Sequence, residues 1–77
     1  MATMSPEERA KLYAAQGCLV RAVVMYRKLV ETEPTAENLS MLAALYMEEG
    51  LHEEAQALYL RVVQLEAAKT APAGGRQ

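Results

Sequence analysis

The sequence predicts an all-α fold: four antiparallel helices in two stacked hairpins of the α-solenoid type, with no separate capping helix at the C-terminal end. Three observations point to it. Leu12-Tyr13, Gly17, Ala22, Tyr26 and Val30 recur 33 positions later as Leu45-Tyr46, Gly50, Ala55, Tyr59 and Val63. A period in this range marks a chain built from one repeated supersecondary unit, each copy too small to bury its own apolar face. Punctuation follows the same rhythm, with Gly17, Pro34 and Gly50 separating helical stretches. Helix-start signals stand at Ser5 and Thr35.

The elements follow in order. Ser5 is placed to cap the first helix, Pro6 sits where no amide donor is needed, and Glu8 closes a capping box. Gly17 ends that helix, because glycine takes the left-handed conformation cheaply after a final turn. A second helix is expected from about Leu19 to Thr32, and Pro34 forbids its continuation. Thr35 caps a third from about Ala36 to Glu49, which Gly50 closes. The fourth begins near His52, with Glu53 and Glu54 against the positive end of its dipole, and fades near Lys69. Residues 1–69 thus form one domain, repeat one over about 3–35 and repeat two over about 36–69. Pro72, Gly74 and Gly75 predict a mobile tail over 70–77.

Composition narrows the function. With 77 residues the chain is near the lower end of sizes that bury a sufficient core unaided, and its single cysteine excludes an intramolecular disulfide. No run approaches the ~20 apolar residues of a spanning helix, so membrane insertion is not expected. Met1 to Pro6 lacks the basic and apolar regions of a signal peptide, and a reducing cytoplasm fits best. Eight basic residues against ten acidic ones, with no basic run, argue against nucleic acid as a partner. Chemistry is sparse. His52 is a lone histidine, whereas metal sites need three or four converging ligands, so no metal is expected. Cys18 has neither a nearby histidine nor a CxxC partner and is read as a small apolar filler. No phosphate-binding glycine loop exists, since Gly74-Gly75 precedes no helix. No cofactor and no catalytic residue are implied, and the chain is not expected to be an enzyme.

Residues 36 to 67 resemble a tetratricopeptide repeat, whose signature of about 34 residues runs from a large apolar residue through Leu, a small residue, Tyr, Ala and an aromatic to Pro. Leu39, Leu42, Ala43, Tyr46, Ala55 and Tyr59 occupy those places, with Ala67 instead of the closing proline. Ala10, Tyr13, Gly17, Ala22, Tyr26 and Pro34 carry the later part over residues 6 to 34. Pro6 and Arg9 stand where the family has bulky apolar residues, which suits an exposed terminal helix. The alanines would let helices approach closely, and the four tyrosines would fill the space beside them.

The resemblance implies ligand binding in a groove lined by the first helix of each repeat. Here that surface comprises Glu7, Lys11, Ala14 and Ala15, then Glu37, Ser40, Met41, Ala44, Met47 and Glu48. The family's clamp for acidic chaperone C-termini is not expected, because Glu7 replaces a lysine and Met41 an asparagine. A small, methionine-containing, mildly acidic groove suits an apolar or amphipathic helix with some basic residues. A second surface follows from apolar excess. Helix four has more apolar positions than one face against helix three absorbs, and each large side chain left wet forfeits roughly 1.5 to 3 kcal/mol. Val20 and Val24 of helix two are answered by Glu53 and Ala57 in helix four, so the repeat itself does not require them. Val20, Val24, Leu58, Val62 and Leu65 are therefore the expected self-association or client face.

A protein-interaction module follows: a small scaffold or adaptor that binds a peptide or helix of a partner and self-associates as a homodimer or within a hetero-complex. The alternative is a dedicated chaperone or obligate subunit shielding a client, similar to the small tetratricopeptide chaperones of secretion systems.

Overall fold

The computed structural model describes residues 3–70, which form four α-helices: α1 (Pro6–Ala15), α2 (Leu19–Thr32), α3 (Ala36–Glu48) and α4 (His52–Thr70). No strand occurs among the described residues. Each helix packs against its neighbour in sequence, α1 on α2, α2 on α3 and α3 on α4. The all-helical expectation holds, with boundaries within a residue or so. Thr70 belongs to α4, and the rest of the expected tail, 71–77, lies outside the described residues.

Local chemistry sets the helix ends. Ser5 Oγ accepts from the Glu8 amide at 3.1 Å while the Ser5 amide donates to Glu8 Oε1 at 2.9 Å, a complete capping box with Pro6 behind it. Thr35 Oγ1 accepts from the Asn38 amide at 3.1 Å and starts α3. Both glycine turns are the same Schellman motif. The Cys18 amide donates to Tyr13 O and the Leu51 amide to Tyr46 O, each at 2.9 Å, while Gly17 and Gly50 donate to Ala14 O and Met47 O. Gly17 and Gly50 have φ of +79° and +82°, with open space where a Cβ would point. Their requirement for glycine is therefore conformational rather than steric.

The core is built on small residues. Ala10, Ala22, Ala43 and Ala55 are all fully buried, one per helix at matching repeat positions. Ala10, Ala22, Val23, Tyr26, Leu29, Leu42 and Leu45 form one cluster, flanked by Tyr13, Met41, Tyr46 and Leu58. Asn38 is the buried polar residue, and its Nδ2 donates to Glu33 O at 3.0 Å. The same carbonyl accepts from the Thr35 amide at 2.8 Å, and the Asn38 bond adds a side-chain tie between the start of α3 and the end of α2.

The four tyrosines do not share one environment. Tyr26 is 0% exposed and Tyr13 and Tyr46 are half-buried, but Tyr59 is 40% exposed. The expectation that all four fill the core is corrected at Tyr59: α3 covers the corresponding side of α2, and no described helix covers that side of α4. Cys18 is exposed at the start of α2 rather than filling the core.

Ala43→Leu should destabilise the fold by about 1 to 3 kcal/mol, because overpacking a closed site forces side chains off rotamer and shifts backbone. A thermal melt against the parent chain measures it. An equal melting temperature would mean that the alanines do not set the helix spacing.

Candidate functional site

The expected groove residues lie on α1 and α3, and an ion pair joins the two helices. Lys11 Nζ is 3.2 Å from Glu37 Oε2, with both side chains largely in water. The hydrogen bond and charge of Glu37 raise the Lys11 amine above its ordinary value. Beside this pair, Ala15 and Glu48 are exposed, whereas Glu7, Ser40 and Ala44 are half-buried. Ala14 and Met41 pack partly on the core. Met47 is exposed, and its Sδ meets His52 Nδ1 at 3.3 Å. His52 thus lies against the Met47 end of this surface, a contact the sequence offered no signal for beyond its place after the Gly50 turn.

Tyr26 gives this surface an unusual floor. Its hydroxyl is buried without a hydrogen-bond partner. Burial pushes the phenol up, while Lys11 opposes that and Glu37 and Glu7 reinforce it, so these three charges are its electrostatic neighbours. Leaving such a group unsatisfied costs roughly 1 to 3 kcal/mol.

A cleft of about 460 Å³ lies at the α1–α2 end of the molecule, between Pro6 and Arg9 on one side and Met25, Lys28 and Leu29 on the other. At its rim the Glu33 carboxyl is raised above its ordinary value of 4.5, first by a side-chain hydrogen bond to Glu7 and then by that group's charge. The five residues of the expected self-association face separate into two sets. Val20 is 71% exposed and Val24 is exposed beside it, bordering a cleft of about 270 Å³ with Tyr13, Arg21 and Met25. Arg21 lies 5.8 Å from the centre of the Tyr13 ring there, within cation–π range. Leu58, Val62 and Leu65 are half-buried, and Leu58 packs against the core. The exposed large apolar side chains of α4 are Tyr59, Leu60 and Val63.

Among the described residues no three His, Cys, Asp or Glu side chains converge to hold a metal ion, and no helix is long and apolar enough to cross a membrane. Comparison with protein-family models, curated proteins and solved structures finds no match to this chain.

Two outcomes follow from the buried and paired groups. Tyr26→Phe removes an unsatisfied hydroxyl and keeps the ring, so the melting temperature should stay level or rise by a few degrees, at about 4 to 8 °C per kcal/mol for a domain of this size. A raised carboxyl binds its proton more tightly in the folded chain than in the unfolded one. Glu33 therefore contributes stability below about 4.5 that is lost as pH rises through its folded value. Glu33→Gln should be more stable than the parent at pH 7, and urea titrations at pH 7 and pH 4 should show the advantage shrinking at the lower pH.

Proposed function

We propose that this chain is a protein-interaction module of the tetratricopeptide type, a small scaffold that binds a helix or peptide of a partner across α1 and α3. The observation that carries this reading is the repeat itself, which extends from sequence to hydrogen bonds. Two glycine turns 33 positions apart close with the same pair of bonds, and the four alanines at matching positions are fully buried. Stacked units of this kind present long side chains at fixed spacing along one face. On that face the exposed Met47 and half-buried Met41 offer adaptable apolar contact, and Glu7, Glu37 and Glu48 set a mildly acidic rim. Lys11 is engaged by Glu37 rather than free for an acidic ligand. A basic amphipathic helix is the matching ligand class.

Self-association belongs to the same reading, with its seam at Val20 and Val24, whose exposure leaves two β-branched side chains in water one turn apart. The obligate-subunit alternative draws on the same exposed side chains. It differs in expecting a chain that aggregates unless co-expressed with its client.

Met47→Glu should leave helical content unchanged while weakening binding of an affinity-purified partner by about tenfold or more, the effect of removing an anchor worth over 1 kcal/mol. Circular dichroism and calorimetry measure the two quantities. An unaltered affinity would move the ligand off the α1–α3 face. In sedimentation, Val20→Glu should shift a dimer to monomer, whereas a parent chain that is monomeric at micromolar concentration would remove self-association from the proposal.

A further inference from the structure

The repeat supplies its own control experiment. α2 and α4 occupy corresponding positions, and α3 covers one side of α2. On that side Val23 is 8% exposed, Tyr26 is buried and Val30 is half-buried. Their counterparts on α4 are Gln56, Tyr59 and Val63; Gln56 is exposed, Tyr59 is the half-wet tyrosine described above, and Val63 is 62% exposed. Arg27, exposed at the edge of the α3 seat, is answered on α4 by Leu60, which is 58% exposed. The α4 face has thus lost one apolar residue inside the seat and gained another at its edge. Leu60, Val63 and Ala67 follow at i, i+3 and i+7, the spacing of one helix face.

We propose that this face of α4 is a docking site for an amphipathic helix from outside this chain, seated as α3 is seated on α2. It goes beyond the α1–α3 reading and does not depend on it. The seat on α2 defines the occupant. α3 presents Asn38, Leu42 and Leu45 at i, i+4 and i+7, with both leucines in the α2 cluster and Asn38 bonded to the end of α2. A matching helix carries leucines at that spacing and runs with its N-terminus near the C-terminal end of α4. Its last turn then falls at the start of α4, where the exposed Glu53 stands seven residues before Leu60 on the same helix face, so basic residues there meet this carboxylate and also complement the occupant's own dipole.

The chain's own first helix fits less well. α1 is the counterpart of α3, but Ser5 and Arg9 replace Asn38 and Leu42 and only Leu12 keeps the match to Leu45, so a second copy docking head to tail would bury the Arg9 guanidinium against Tyr59.

The test titrates the isotope-labelled full chain with a synthetic peptide of residues 34–50 carrying Glu48→Lys and Glu49→Lys. Saturable shifts of the Tyr59, Leu60 and Val63 resonances are expected. Leu60→Glu in the chain should weaken binding by about tenfold or more, and Met47→Glu should leave it unchanged. The peptide with its native glutamates should bind roughly two- to fivefold more weakly, as expected for rim charges. If Leu60→Glu alters the circular dichroism, Val63→Glu replaces it. Absence of saturable shifts overturns the proposal, as do shifts confined to Val23, Tyr26 and Val30, which would report exchange into the α2 seat. A parent dimer that Leu60→Glu splits also overturns it, since the face would then belong to a second copy.

Discussion

Helix axes can approach closely only where no side chain keeps them apart, and in this chain that condition is met by one alanine per helix. Ala10, Ala22, Ala43 and Ala55 have no exposed surface, and the larger residues are disposed around them. Tyr26, Leu29, Leu42 and Leu45 fill the space that this spacing leaves. The positions of Met41, Met47, Glu37 and Lys11 on a shared face are a consequence of the same spacing, because a helix displaced outward would separate Lys11 from Glu37. The alanines permit the close backbone approach, and the buried leucines with Val23 and Tyr26 supply most of the apolar area.

Much of this was legible in the sequence because the signals were local. Ser5 with Glu8, Thr35, and the two glycines specify backbone hydrogen bonds within a few residues, and those bonds are present as expected. What the sequence left hidden depends on neighbours far along the chain. Tyr26 and Tyr59 occupy the same repeat position, and only the presence of α3 distinguishes a buried ring from a wet one. On α4, Leu58, Val62 and Leu65 turn toward the packed side and Leu60 and Val63 away from it, a division that composition alone does not reveal in a helix apolar on several faces. Asn38 was missed as well, although its place three residues after the Thr35 cap was a usable signal for a residue guarding the α2–α3 joint.

The proposed binding surfaces differ in physical character. The α1–α3 face is mixed, with methionines, an ion pair and an unsatisfied phenol beneath, and such a surface adapts to its ligand. Val20 and Val24 offer two branched, stiff side chains beside an Arg21–Tyr13 contact, a smaller and more rigid patch. The α4 side is an unfinished packing surface whose complement is defined by the chain's own α3. A ligand there would extend the core, whereas one on α1 and α3 would decorate it.

Pairing of each helix chiefly with its sequence neighbour also governs how the chain assembles and comes apart. Almost every contact closes over a short loop, so folding needs little long-range search and belongs among the fast topologies. Stability is then a sum over adjacent pairs rather than a property of one indivisible core. α1 and α4 are each held chiefly by one neighbour, so the two ends are the natural first segments to open, with amide exchange fastest there and slowest where α2 and α3 lie between two partners. A helix arriving on α4 would close that open end and make the chain unfold as one unit.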